Sequence, residues 1–187
     1  VIDNSRSIKD YLPQIATHLQ YQMRILIRSY YDFHIGFVYT NNQPLDSGIF
    51  YQKFYYPFSD LKDFQTRTKL SVSIEKRHNS FDVMVDALSL PKSGNQEKNK
   101  GFLREDAKLA VIFISSTDDI SQHSVSYYKK LLHTLKKRTQ SIFVSAIVIN
   151  SENCLKKAEH KIGSRYLKFV REMEGNIENI CDQPGKE

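Results

Sequence analysis

The first seven residues, VIDNSRS, set a carboxylate and two hydroxyls at alternate positions, Asp3, Ser5 and Ser7. Alternate side chains of an extended segment point the same way. Three oxygens converging from one side suit a hard divalent cation, because Mg2+ and Mn2+ take carboxylate, hydroxyl and water oxygens. The same residue types also cap helices, since Asp and Ser oxygens accept from the free N–H groups of a first turn. A second oxygen-rich run, SSTDDIS, covers 115–121 and carries Asp118 and Asp119. Ser80 adds a hydroxyl just ahead of an apolar helical stretch.

Other constellations carry less chemistry. Lys129, Lys130, His133, Lys136 and Lys137 line one helical face opposite Leu131, Leu132 and Leu135. Such a run reads first as a solvated face; docking of an acidic partner or of anionic lipid head groups is the sharper alternative. The aromatic run IFYQKFYYPF (49–58) reads as core or flap before it reads as an interface patch. None of the six histidines stands in a motif with a nucleophile, although His123 lies near Ser121 and two carboxylates. There is no phosphate-cradling glycine loop either, so no enzyme is expected. A net charge of +6 permits an acidic partner. With no RNA-binding motif and no strongly basic stripe, a nucleic-acid partner is not expected.

These residues need elements to position them, and the hydrophobic rhythm supplies alternating ones. After VID, Tyr11, Ile15, Leu19, Met23 and Leu26 recur at helical spacing within 7–30. Pro13 sits early, so the regular helix is expected to start near Asp10, which would cap it. FHIGFVYT (33–40) reads as a buried strand. The segment 47–60 is a hairpin or an irregular flap, LSVSIE (70–75) a strand, and SFDVMVDALSL (80–90) a helix stopped by Pro91. PKSGNQEKNK (91–100) is a polar loop. KLAVIFISS (108–116) is apolar throughout, as in a parallel strand covered on both faces. A helix over 124–138, a strand over 141–150, a helix over 164–175 and a short strand around 177–180 complete the order. Strands alternating with helices predict one α/β domain over 1–187, a doubly wound, mostly parallel sheet flanked by helices. Ligands of such sheets bind beyond the carboxyl ends of the strands where the order reverses, and both oxygen-rich loops follow strands.

With 187 residues the chain can bury a sizeable core, and no apolar run reaches the ~18 residues of a membrane span. It starts at Val1 without a visible signal peptide, so it is expected to be trimmed at both ends. The two cysteines, Cys154 and Cys181, fit no zinc spacing; on composition alone they are buried thiols or one disulfide.

Asp3-Asn4-Ser5-Arg6-Ser7 after a strand resembles the Asp-x-Ser-x-Ser hallmark of the von Willebrand factor A-type (vWA) domain. GFLREDAKLAVIFISSTDDIS (101–121), Cys154, GSRYLKFVREMEG (163–175) and Ile180-Cys181 are similar to vWA proteins and lipoproteins of bacterial cell envelopes. The resemblance runs over most of the chain apart from the aromatic middle. It implies a vWA-like (Rossmann-like) fold and a metal-dependent adhesion site. In the family that site holds Mg2+ or Mn2+ through the first Asp, both serines, a threonine before a later helix and an Asp ending the fourth strand. An open coordination position then takes a carboxylate from a partner protein. Carboxylates are needed there because a helix N-terminus disfavours a cation.

Here the glycine expected between the serines is Arg6, and the fourth-strand Asp falls on Ser116. No threonine occupies the threonine position, and YTNN (39–42) stands where relatives show TTD. The metal set implied is therefore Asp3, Ser5, Ser7 and Ser80, with Asp118 or Asp119 in support. One firm carboxylate predicts weak binding, since hydroxyls and waters would supply most of ~6 ligands. In the metal-free alternative Asp3, Ser5 and Ser7 brace the loop, and Arg6 takes the cation's place by pairing with Asp3 or Asp119. The resemblance also implies an oxidising envelope compartment with Cys154 paired to Cys181. The function expected is protein–protein binding or adhesion in a bacterial envelope. The alternative is a metal-free structural subunit of a larger envelope assembly, docked through the basic helix or the aromatic flap.

Overall fold

The computed structural model describes residues 1–29, 31–40, 52–55, 78–88, 99–136 and 141–182. The strand expected over 70–75, nearly all of the polar loop 91–100, Lys137, and the aromatic segment apart from the backbone of 52–55 lie outside the described residues.

A 3-10 turn, Arg6–Tyr11, leads into helix α1, Leu12–Arg28. Tyr11 is buried in the turn, Ile15 and Met23 are buried along the helix, and Leu19 and Leu26 pack partly buried beside them. The regular helix begins two residues later than expected, and its N-cap is Tyr11 rather than Asp10. Pro13 has no N–H to cap, and the Asp10 carboxylate is drawn outward to the Lys157 ammonium. Strand β1, His34–Phe37, pairs antiparallel with β2, Gln52–Tyr55. Helix α2 spans Ser80–Leu88. Strand β3, Leu109–Ser115, leads through helix α3, Val125–Leu135, to β4, Ile142–Val148; helix α4, Ser164–Glu172, then leads to β5, Ile177–Asn179.

The strands β3, β4 and β5 form a parallel three-stranded sheet in that order. Parallel neighbours need long crossovers, and α3 and α4 supply them. Ile2 bridges in parallel to Tyr39, just past β1, and to Ile114 of β3. The amino-terminal segment therefore lies between β1 and β3, and the strands run β2, β1, Val1–Asp3, β3, β4, β5. The chain leaves this centre towards β1 and returns on its other side at β3, which makes it the switch point of the sheet.

Alternation along the strands sends side chains into two layers. Leu109, Val111 and Phe113 join Phe81, Tyr128, Tyr166 and Phe169 on the face covered by α2, α3 and α4. Ile114 and Ile2 join Ile8, Ile15 and Met23 on the face of α1. Phe81 is the hub of the first layer, with the rings of Phe113, Tyr166 and Phe169 set edge-on or tilted to it at 5.0–5.3 Å or, for Tyr166 on Phe113, 5.5 Å. The expectation that β3 is covered on both faces fails at its lower half: Ile112 is 44% exposed, and Phe143 of β4, paired with Ala110, is 49% exposed. The α1 side is incompletely roofed there.

The basic face of α3 is not the uniform solvated stripe that its spacing suggests. Lys129 Nζ donates to Glu172 O at 2.8 Å, at the carbonyl end of α4 where a cation is favoured. Lys136 is buried, and its ammonium donates to the carbonyls of Arg104 and Ala107. Cys154 and Cys181 form a disulfide with Cα atoms 5.9 Å apart, tying the turn after β4 to the end of β5. No helix among the described residues is long and apolar enough to cross a membrane.

Candidate functional site

The amino-terminal oxygen cluster and the acidic turn meet at the switch point. Backbone bonds from Asp3 N to Ile114 O (2.9 Å) and from Ile114 N to Val1 O (3.0 Å) bring the two strand ends level. Asp3 then stands beside Ser115, and Ser7 beside Ser116. Ser115 Oγ donates to Asp3 Oδ2 at 2.7 Å, and Ser116 Oγ donates to Ser7 Oγ at 2.9 Å. Ser5 Oγ lies 2.8 Å from Ser7 Oγ. All of these side chains are buried.

Asp3 is fully buried, and each of its oxygens is occupied. Oδ1 accepts from Ser5 N at 3.0 Å; Oδ2 lies 3.1 Å from His78 Nδ1 as well as accepting from Ser115. Burial pushes the carboxyl upward, but the bond and charge of His78, with Ser115 and the Ser5 N–H, outweigh it and hold Asp3 below the usual range. The side-chain partner of Asp3 across the loop is thus an imidazole. Arg6, the expected occupant in a metal-free site, instead points outward and is exposed. Arg6 is the first residue of the 3-10 turn, which turns its side chain to solvent between the buried Ser5 and Ser7.

The other two carboxylates serve helix termini contributed by distant segments. Asp119 Oδ2 accepts from Phe81 N (3.2 Å), and Ser121 Oγ accepts from Asp82 N (3.1 Å), so the turn caps α2 from outside. Asp118 Oδ1 accepts from Arg165 N at 2.9 Å, capping α4 in the same manner. Helix N-termini leave N–H groups unpaired and favour negative charge, so both caps are well matched. Asp119 also lies 3.3 Å from Arg165 Nε, within ion-pair distance but not aligned for a hydrogen bond. Burial raises Asp119 to about 6, against the N–H bonds and the Arg165 charge that lower it, and burial raises Asp118 as well.

Ser80 faces a phenol: Tyr166 Oη donates to Ser80 Oγ at 2.7 Å. Burial, with the charges of Asp119 and Asp3, holds Tyr166 well above the usual phenol range, so it remains a donor. Below the cluster His160 is buried; its Nδ1 accepts from Lys156 N, which leaves the Nε2 proton to face Ser7 O at 3.3 Å. His123 forms no acid–base pair with Ser121: its ring stacks on Tyr127 at 4.1 Å between centroids, and its backbone bonds Tyr128 and Arg165.

Of the expected ligand set, Asp3, Ser5 and Ser7 converge with Ser115 and Ser116, whereas Ser80, Asp118 and Asp119 each serve a neighbouring bond or cap. This donor set does not fit a hard divalent cation. It offers one carboxylate, already held by an imidazole, and hydroxyls that satisfy one another, where Mg2+ or Mn2+ needs several free oxygens. Among the described residues no group of His, Cys, Asp and Glu side chains is arranged to hold a metal ion. Sequence reasoning missed His78, Tyr166 and Arg165. The signal available for His78 was its place two residues ahead of Ser80, in the loop opening α2.

The rim above the cluster is more exposed. Ile120, at the tip of the acidic turn, is 62% exposed, and Ile120 N donates to His78 O at 2.9 Å. Arg6 stands exposed between the two serines, and the Arg165 side chain is 31% exposed.

No family model matches the chain. No curated protein matches it either. Among solved structures it is similar to proximal thread matrix protein 1 from the mussel byssus, with a TM-score of 0.49 and 13% identity over 96% of this chain. The chain spans 40% of the length of that protein.

Proposed function

We propose that the chain is a vWA-type protein-binding module of a bacterial cell envelope, working through the rim formed by the loops at 3–7 and 115–121. The observation that carries this reading is the Ser115–Asp3 bond at the switch point, which sets an exposed apolar tip and exposed cations around one buried cluster. The order β2, β1, Val1–Asp3, β3, β4, β5 supports the vWA-type assignment, and the Cys154–Cys181 bridge suits an oxidising compartment.

In this reading the rim works without Mg2+ or Mn2+. The His78 imidazole and the Ser115 hydroxyl occupy the Asp3 oxygens that a cation would take, and Arg6 supplies the outward positive charge that meets a partner's acidic residue. Exposed Ile120 supplies the apolar contact beside it. Charge complementarity of this kind directs encounter and register more than it adds affinity. The role is binding, not catalysis, and it suits a subunit of a larger envelope assembly as well as a free adhesin.

Photo-crosslinkers at the exposed positions 120 and 122, used in the source cells, test the reading. Both are expected to yield the same discrete protein adduct, lost on Arg6→Asp, while a crosslinker at exposed Tyr21 on α1 yields none of it. Equal adducts from all three positions would contradict a rim interface.

A further inference from the structure

The loop between β4 and α4 touches both loops of the rim. Residues 155–159 are all exposed, so this loop has little packing of its own. Its hold comes from a few directed contacts. Near its start Cys154 is buried and bridged to Cys181, just past β5. At its end Gly163 N donates to Ile149 O at 2.8 Å. Between them His160 Nε2 faces Ser7 O at 3.3 Å, and Lys161 N donates to Ser116 O at 3.3 Å. Ser7 and Ser116 are the residues whose hydroxyls bond to each other across the rim at 2.9 Å. One loop therefore braces both sides of that bond.

The bridge also reaches this brace through the 3-10 turn. Tyr11 Oη lies 3.5 Å from Cys181 Sγ, and a bridged sulfur carries no proton, so the phenol donates. The Tyr11 ring packs on the His160 ring at 5.6 Å between centroids. Asp10, next to Tyr11, pairs with Lys157 of the loop. Cys181, Tyr11 and His160 thus form a continuous run of contacts from the bridge to Ser7 O. A segment with few buried contacts opens easily, and a cross-link at its base removes much of that freedom.

We propose that the Cys154–Cys181 bridge is a redox latch on the rim. Oxidised, it holds the loop 155–162 against Ser7 and Ser116; reduced by a dithiol, it releases the loop and slackens the rim. Cys181 is half-buried at the sheet edge, so the thiolate of the reductant attacks its sulfur. A mixed disulfide forms, the Cys154–Cys181 bond breaks, and Cys154 leaves as a thiolate that takes a proton from water. The second thiol of the reductant then attacks the mixed disulfide, its proton passing to Cys181, and the reductant departs as its own disulfide. Two electrons and two protons reach the pair, which becomes two thiols. The consequence for binding rests on the rim reading; the consequence for the order of the rim does not.

The test follows the amide resonances of the folded chain as dithiothreitol is added and then removed under air. Those of Ser7, Ser116 and Lys161 are expected to shift or broaden on reduction and to return on oxidation, while Val144 in β4 and Leu132 in α3 stay in place. Changes confined to the neighbours of the two cysteines, with Ser7 and Ser116 unmoved, would overturn the latch. In the source cells, the crosslinked adduct at position 120 is expected to fall about fivefold or more in the double variant Cys154→Ser/Cys181→Ser. His160→Ala, with the bridge intact, is expected to give the same fall, and the triple variant no further one, because all act through one loop. An undiminished adduct in the double variant, or a second equal fall in the triple, would also overturn it. No adduct from the unsubstituted rim would instead defeat the rim reading, and the resonances would still decide for or against the latch.

Discussion

Asp3 stabilises the rim only as part of a set. Replacing it with Ala leaves the His78 imidazole, the Ser115 hydroxyl and the Ser5 N–H without their shared acceptor. The expected cost is about 3 kcal/mol, the usual loss when one member of a buried pair is removed, read as a lower denaturant midpoint. Asp3→Asn keeps one acceptor and is expected to lose less. Asp119 gives a pH signature of its own. Its folded pKa, about 6, lies above the ordinary carboxylate value, so the folded state holds the proton more tightly. Stability from this group is present below about pH 4 and is lost as pH rises through 6. Comparing the unfolding free energy of wild type and Asp119→Asn across pH 4–7 isolates the carboxylate; a profile unchanged by the substitution would refute its assignment.

At the scale of elements, helix ends and close backbone approaches decide the outcome. Removing either outside cap, by Asp119→Ala on α2 or Asp118→Ala on α4, is expected to cost about 1–2 kcal/mol, with amide exchange rising first at Phe81 or at Arg165. Gly175 closes the turn from α4 to β5, and a Cβ there would lie 1.7 Å from Val144 O. Gly175→Ala is therefore expected to force β4 and the turn apart and to cost roughly 3 kcal/mol in chemical denaturation. Local rhythm made much of this architecture legible: α1 from Ile15, Leu19 and Met23, β3 from an apolar run, and β4 from one interrupted only by Ser145. The caps were not legible, because Asp119 and Phe81 lie far apart in sequence and no local pattern links them. The start of α1 was misread for a related reason, since the partner of Asp10 is Lys157 at the far end of the chain. Alternation predicted that Asp3, Ser5 and Ser7 converge, although the 3-10 turn and not an extended strand carries Ser7 there, and the identity of the group facing Asp3 could not be read. His78 reaches Asp3 across the sheet edge rather than along the chain.

For the whole molecule, the bridge from Cys154 to Cys181 closes the carboxyl edge on the side of β5. Reducing it is expected to lower the unfolding free energy by about 3 kcal/mol in the chain-entropy picture, with intact protein showing no free thiol under non-reducing mass spectrometry. The strand order brings two segments more than a hundred positions apart to one rim, and the account turns on what holds that rim together. The most direct measurement is calorimetric titration of Mg2+ and Mn2+ into wild type and Asp3→Ala. With His78 in the cation's place, neither protein is expected to give saturable heat at millimolar metal. Saturable binding to wild type that disappears in Asp3→Ala would contradict the account and return the rim to a metal-dependent adhesion site.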